Sequence, residues 1–369
     1  MRKPEQLQYE PNQQSSEPLL NPLQLEQISR EWNIPKEDIL LIAMNASGIK
    51  CGDTTNDRGR FIATFPSGRK YLLALTVSDK PFSAFEHDGS NVTFNGRAIA
   101  IASPMMKDTC TDSYWRGGKR HLTLNSNSRS NCRGCAFCGT YSLENDDKAL
   151  TTPDALRRKA EILQLESGKS LSELESVAIV TGCFPSEEKL VDHLMMIRKS
   201  FAEFGFKGEL RYIGSQLRSQ KALERVIAVG PFALYLTVES FERREQLMKR
   251  TKVSLDLEGG KNLLRRAKQL GAETSFLYIA GLDSHETMMT QFPTYAPLLT
   301  RLPQIQTFQA YVPEQIELRR PEAGSIEYFL KTREIAEEAF PHLLPIAANN
   351  FRSLWYTTYG SQPLPNSEI

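Results

Sequence analysis

The chain has 369 residues, enough for one large domain and a smaller one, and it can bury a full core without disulfide staples. Lys and Arg number 45 against 44 Asp and Glu, a formal net charge of +1. That balance weighs against nucleic acid as a partner, because binding phosphates draws on surplus positive charge. The apolar runs are strand-sized and the first 16 residues lack the apolar stretch of a secretory signal, so the expectation is a cytoplasmic protein with no membrane partner.

Residues 1–20, rich in Gln, Glu and Pro, read as a disordered arm, and so does the tail after Gly360. Residues 21–120 read as an N-terminal helical and β-rich region. Asn21 and Pro22 cap and begin a short helix whose Leu25, Ile28 and Trp32 share a face, and a second helix follows Pro35. Between Gly59 and Ser103 the pattern becomes that of short strands, at 61–65, 71–77, 91–94 and 98–102. Asp88-Gly89 and Asn95-Gly96 supply the turns. This region is expected to cap the larger domain.

From His121 onward strand and helix alternate. The expected strands are 121–125, 177–183, 209–214, 233–239, 274–280 and 305–311. Thr152-Pro153 begins one intervening helix and Ser186 another, and Asp283 with Glu286 resembles a capping box for a third. Apolar, β-branched strands between helices imply a parallel sheet covered by helices. Periodicity leaves two forms open, a doubly wound open sheet and a barrel. Residues 121–345 make up this unit, and 346–369 form a C-terminal segment near its mouth.

Six cysteines are present, Cys51, Cys110, Cys132, Cys135, Cys138 and Cys183, and three of them fall within seven residues. In a cytosolic protein such a cluster binds metal more often than it forms disulfides. The segment from Asn131 to Gly139 follows the first strand of the alternating unit. Loops at the C-terminal ends of parallel strands are where such folds place their chemistry. Three close thiolates suit iron–sulfur or zinc binding. A four-iron cubane on three cysteines leaves one iron for a substrate or cofactor. A closed zinc site needs a fourth ligand, for which Cys110 and His121 are nearest and Cys183 is distant.

This loop, set in six strand–helix units, resembles the radical S-adenosylmethionine superfamily over roughly residues 121–345. The spacing here is Cys-x2-Cys-x2-Cys, where the family usually has Cys-x3-Cys-x2-Cys. The resemblance implies a partial (β/α)6 TIM-type barrel. It implies that Cys132, Cys135 and Cys138 hold a [4Fe-4S] cluster whose fourth iron is chelated by S-adenosylmethionine, which is cleaved reductively to a 5'-deoxyadenosyl radical. An electron donor such as a flavodoxin or ferredoxin is implied too. Phe137 holds the place of the aromatic residue near adenine. The segment from Val180 to Pro185 is similar to the family's glycine-rich strand end, with Gly182 matching and Cys183 and Phe184 replacing the usual Gly and Glu. Glu239-Ser240-Phe241, followed by Arg250, looks like a strand end in which Glu239 faces the cofactor and Arg250 its carboxylate. Gly281 matches a Gly-Leu ending beside adenine. Ser215 and Arg218 are placed to point inward, and Gln309 to Pro313 reaches the same mouth. Asn350 to Tyr356 is expected to line the substrate pocket. No catalytic residue is assigned.

Plainer readings stand beside these. Glu239 and Arg250 suit a surface ion pair, Gly182 and Gly281 turn glycines, and Tyr311 and Trp355 core aromatics. Arg116, Lys119, Arg120 and His121 read as a solvated face. His87, His193, His285 and His342 show no partner spacing, and Cys51 and Cys110 read as lone thiols. No cysteine follows Cys183 and no Asp-x-His-x-x-Gly appears, which argues against auxiliary-cluster and cobalamin modules. The expected substrate is a small molecule. The alternatives are a radical enzyme acting on RNA, signalled by the basic segment at Arg116, and a non-catalytic zinc-binding interaction protein.

Overall fold

In the computed structural model, residues 19–52, 57–77, 83–108, 114–127, 132, 134–139, 150–346 and 352–366 are described. The Asn21 side chain accepts from the Leu23 N–H and opens a 3-10 turn that leads into α1 (Leu25–Trp32). Helix α2 (Lys36–Ser47) is buried along most of its length. An antiparallel sheet follows, made of β1 (Asp57–Thr64), β2 (Lys70–Val77), β3 (Phe85–His87), β4 (Asn91–Phe94) and β5 (Arg97–Ala102), with β6 (Met106–Lys107) paired to β1. Asn95 and Gly96 both take positive φ, the backbone that a two-residue hairpin between β4 and β5 requires.

The second sheet begins with a hairpin, β7 (Tyr114–Arg116) antiparallel to β8 (His121–Leu124). It continues with β9 (Ser176–Val180), β10 (Glu209–Gly214), β11 (Phe232–Glu239), β12 (Glu273–Ala280) and β13 (Gln304–Thr307). From β8 to β13 every neighbouring pair is parallel, and the spatial order is the chain order. The crossovers carry α3 (Pro153–Ser167), α4 (Glu187–Ala202), α5 (Gln220–Ile227), then α6 (Arg244–Leu247), α7 (Arg250–Val253) and α8 (Leu257–Gln269), and α9 (His285–Tyr295), while α10 (Ile326–Ala339) follows β13. Right-handed crossovers in one unbroken order place every helix on the same face. A doubly wound sheet needs its order to reverse. The two forms left open by periodicity therefore resolve to a curled half-barrel with helices outside.

Local chemistry sets the ends of these elements. Thr152, Ser186, Ser219 and Asp256 each cap their helix by accepting a backbone N–H. The cap of α9 is Ser284, not Asp283, which is wholly buried and serves elsewhere. Strands β9 and β13 stop at Val180 and Thr307, short of the expected 183 and 311, because the chain leaves the sheet there to wall a cavity. Between β11 and α9, Phe241, Phe276, Tyr278 and Phe292 pack edge-to-face or stacked, as aromatic quadrupoles prefer.

The N-terminal region packs on the half-barrel. Asp38 of α2 and Arg333 of α10 form an ion pair of 2.6 Å between side chains almost without solvent exposure. Gln309 donates to Asn45 of α2 and to the Ala74 carbonyl of β2. Among the described residues after Gly360 the chain is paired, contrary to expectation: β14 (Thr358–Tyr359) and β15 (Gln362–Pro363) pair, and Arg69 donates to the Leu364 carbonyl. Leu20, which falls at the end of the expected arm, is buried in the core. Residues 1–18, Cys110, Asn131, Asn350 and Phe351 lie outside the described residues. Among the described residues, no helix is long and apolar enough to cross a membrane.

Candidate active site

Alternation along parallel strands sends every second side chain to the inner face of the half-barrel. Val180, Ile213, Thr237, Glu239, Leu277 and Ile279 arrive this way at a cavity of about 290 Å³. Cys132, Cys135 and Cys138 line it too, with Cys183 from the segment that follows β9.

The cysteine loop is fixed from both sides. Its Ala136 N–H donates to the Leu247 carbonyl of α6 at 2.9 Å, and its Ala136 carbonyl accepts from Gln315 at 2.9 Å. A turn closes it, with the Cys138 N–H donating to the Cys135 carbonyl at 3.1 Å. Cys135 and Phe137 pack among Leu247, Met248, Leu282 and Phe308. At Gly139 a Cβ would stand 2.7 Å from the Tyr311 ring, so only glycine lets the ring lie against the loop.

Two lysines face these sulfurs. The Lys249 ammonium donates to Cys132 Sγ at 2.9 Å and to Cys183 Sγ, and the two sulfurs are 3.6 Å apart. The hydrogen bond with Cys183, together with the Lys249 charge, holds the Cys132 thiol below its usual range, whereas burial pushes Cys135 up. The thiolate is the metal-binding form. Lys252 pairs with Glu239 at 2.6 Å. Burial opposes the Lys252 charge, but Glu239 and the nearby thiols keep its pKa above the ordinary lysine value.

Glu239 has φ +68, a left-handed conformation that is rare away from glycine, and it follows a register shift in β11. Asp283 holds this kink. Its carboxylate accepts from Ser240 Oγ at 2.6 Å, the Phe241 N–H at 2.7 Å, the Glu242 N–H at 3.0 Å and the Tyr278 hydroxyl at 2.9 Å. Strain of this kind persists where surroundings over-determine it.

The structure therefore brings Cys132, Cys135, Cys138, Phe137, Ser215 and Glu239 to one cavity, and Tyr311 with them. It does not bring Arg250 there. Arg250 starts α7 with its side chain exposed, while Lys249 and Lys252, three positions apart and so on one side of the turn, face inward. Gly182 and Gly281 adjoin the cavity as turn residues: the Gly182 N–H donates to the Asn127 carbonyl, and Gly281, at φ +117, donates to the Tyr328 hydroxyl. Arg218 clasps the Thr251 carbonyl and Ser254 of the α7 segment. Trp355 is a core residue, donating to Glu337 at 2.8 Å. Within the basic segment, Lys119 donates to the Ser167 carbonyl and Arg120 pairs with Glu175, but Arg116 lines the cavity and is no part of a solvated face. His121 contacts Ser176 and His193 contacts Ser126, so neither is a ligand candidate. Arg58 and Arg211 also reach the cavity, and nothing in the sequence pattern marks them.

A cubane is wider than a single ion, so its thiols share a wall instead of converging on a point. Among the described residues, four thiols line this cavity. Lysine ammoniums beside the sulfurs suit the negative charge of thiolate ligands. The donor set fits a cluster.

No protein-family model matches the sequence, and no curated protein matches it. Similar solved structures include the radical S-adenosylmethionine methyltransferase TsrM from Kitasatospora setae, with cobalamin and a [4Fe-4S] cluster bound. The identity is 12% and the TM-score 0.38, over 53% of this chain and 38% of that one. SuiB from Streptococcus suis is similar at 13% identity and a TM-score of 0.37, over 52% of this chain and 40% of that one. SuiB bound to S-adenosylmethionine matches at 13% and 0.38, over 54% and 44%. The matched part thus spans less than half the length of each of these proteins.

Proposed function

We propose that the chain is a radical S-adenosylmethionine enzyme built on a partial (β/α)6 TIM-type barrel, with Cys132, Cys135 and Cys138 holding a [4Fe-4S] cluster and a small molecule as substrate. One observation carries the proposal: three thiols of a single short loop share a cavity with inward side chains from parallel strands paired in chain order. When bound, such a cluster supplies one electron to the sulfonium of S-adenosylmethionine, whose cleavage leaves a 5'-deoxyadenosyl radical that takes hydrogen from a substrate.

The chain's own residues have definable parts in this. Lys249 favours the thiolate of Cys132. Phe137 presents an apolar face suited to adenine, and Ser215 and Glu239 present polar atoms to the same space. Lys252 takes the place expected for Arg250 beside Glu239. Gly182 and Gly281 shape the strand ends without entering the cavity. Val180, Leu277 and Ile279 keep water from the interior, which protects a reactive intermediate from side reactions. An electron donor such as a flavodoxin or ferredoxin belongs to the same proposal.

The test is anaerobic reconstitution with iron and sulfide, followed by reduction with S-adenosylmethionine present. Wild-type protein is expected to hold a four-iron cluster and release 5'-deoxyadenosine, and Cys135→Ala to do neither. Zinc in place of iron would overturn the proposal in favour of a structural metal site.

A further inference from the structure

Of the four thiols on the described lining, Cys183 has no part in the cluster assignment. It lies 51 positions along the chain from Cys132, yet the two sulfurs are 3.6 Å apart, in van der Waals contact. Both are free thiols and both are half-buried. The Lys249 ammonium donates to each, so a single cation holds the two sulfurs on one side of the cavity.

Each sulfur is carried by a fixed segment. Beside Cys183, the Gln216 side chain clasps Phe184, accepting from its N–H at 3.0 Å and donating to its carbonyl at 2.9 Å. The Asn127 amide donates to the Cys183 carbonyl at 3.4 Å. Facing it, the cysteine loop is tied through Ala136 to Leu247 and Gln315. Gly134 in that loop takes φ +103, and a Cβ there would stand 3.1 Å from the Lys249 Cβ. Glycine thus lets the loop close on Lys249, the residue that also holds Cys183. Joining the sulfurs at the ~2.05 Å of a disulfide asks for a shift of about 1.5 Å, which rotation about the Cα–Cβ bonds can supply.

We propose that Cys132 and Cys183 form a reversible disulfide when the chain holds no cluster and meets a peroxide, and that this bond keeps Cys132 recoverable for iron. The proposal rests on Cys132 being a cluster ligand, as argued above. One thiol attacks the peroxide: the O–O bond breaks, the sulfur becomes a sulfenic acid and one water leaves. The sulfur of the second thiol then displaces the sulfenic hydroxyl. The S–S bond forms, and the hydroxyl leaves as a second water with the remaining thiol proton. Each sulfur loses one electron, and the two peroxide oxygens are reduced to those of water. Contact makes the second step intramolecular, so it outruns further oxidation to sulfinic acid, which a dithiol does not reverse. A dithiol does cleave the disulfide and restores both thiols.

The test treats cluster-free, full-length protein with hydrogen peroxide in the absence of metal. Remaining thiols are blocked with N-ethylmaleimide and the peptides are read by mass spectrometry. The expected product is a cross-link between the peptides carrying Cys132 and Cys183, cleaved by dithiothreitol. A second portion is treated with dithiothreitol after the peroxide, reconstituted with iron and sulfide, and its bound iron measured. Wild-type protein is expected to return to its untreated level. Cys183→Ala is expected to recover less than about half of its own untreated level, Cys132 having passed to the sulfinic acid. Cys183→Ser serves if circular dichroism shows Cys183→Ala unfolded. Absence of the cross-link, a cross-link from Cys132 to a different cysteine, or full recovery in the folded variant overturns the proposal. The cross-link is read without metal, so its failure is distinct from a failure of untreated protein to take up iron, which would overturn the cluster assignment and, with it, the protective role.

Discussion

At the scale of single residues, Asp283 is the support behind the cavity wall. It accepts four hydrogen bonds from the segment that follows β11 and from Tyr278. Asp283→Ala leaves two backbone N–H groups and two hydroxyls without their acceptor, and a buried unsatisfied donor costs about 1–3 kcal/mol. The expected loss is about 3 kcal/mol or more in urea unfolding, with partial recovery in Asp283→Asn. Asp283 also shows what a sequence hides. The Asp-x-x-Glu spacing reads as a capping box from local pattern alone, yet the donors that claim Asp283 come from another strand. The place of Glu239 at a strand end was legible because its motif is contiguous. The step from Arg250 to Lys249 and Lys252 was not, because it depends on how a single short helical turn is rotated. Arg58 is brought to the cavity by pairing within a different sheet, which no local spacing encodes.

At the scale of elements, the docking of α2 against α10 and the final hairpin turns on one buried ion pair. Arg333 donates to Asp38, to Glu337 and to the Thr358 carbonyl, and Asp38 accepts from Thr357 as well. Removing one member leaves the other charge buried without its partner, at a cost of about 3–5 kcal/mol. Arg333→Met is therefore expected to lower the Tm sharply, and the double variant Asp38→Leu with Arg333→Met to recover much of that loss. Element identity was well encoded: β-branched runs gave the strands, and Thr152 and Ser186 gave helix starts that the structure keeps. Sheet order was not, since periodicity describes one strand at a time and curling follows from how successive crossovers add up.

At the scale of the whole molecule, buried histidines make the fold sensitive to acid. Burial lowers the pKa of His193 to about 4 from an ordinary value near 6.5, and burial lowers His121 and His285 in the same direction. A group that protonates less readily when folded contributes stability that is present above the unfolded pKa and lost as pH falls toward the folded one. Urea midpoints should thus fall between about pH 6.5 and pH 4, His193 alone accounting for up to about 3 kcal/mol. His193→Gln, which keeps a hydrogen-bonding group toward Ser126, should flatten that decline. The distribution of the cavity wall along the chain has a temporal consequence as well. The ribosome releases Cys138 about two hundred residues before Arg352. At about 5–20 residues per second, the thiols are synthesised roughly 10–40 s before the last residues of their cavity wall exist.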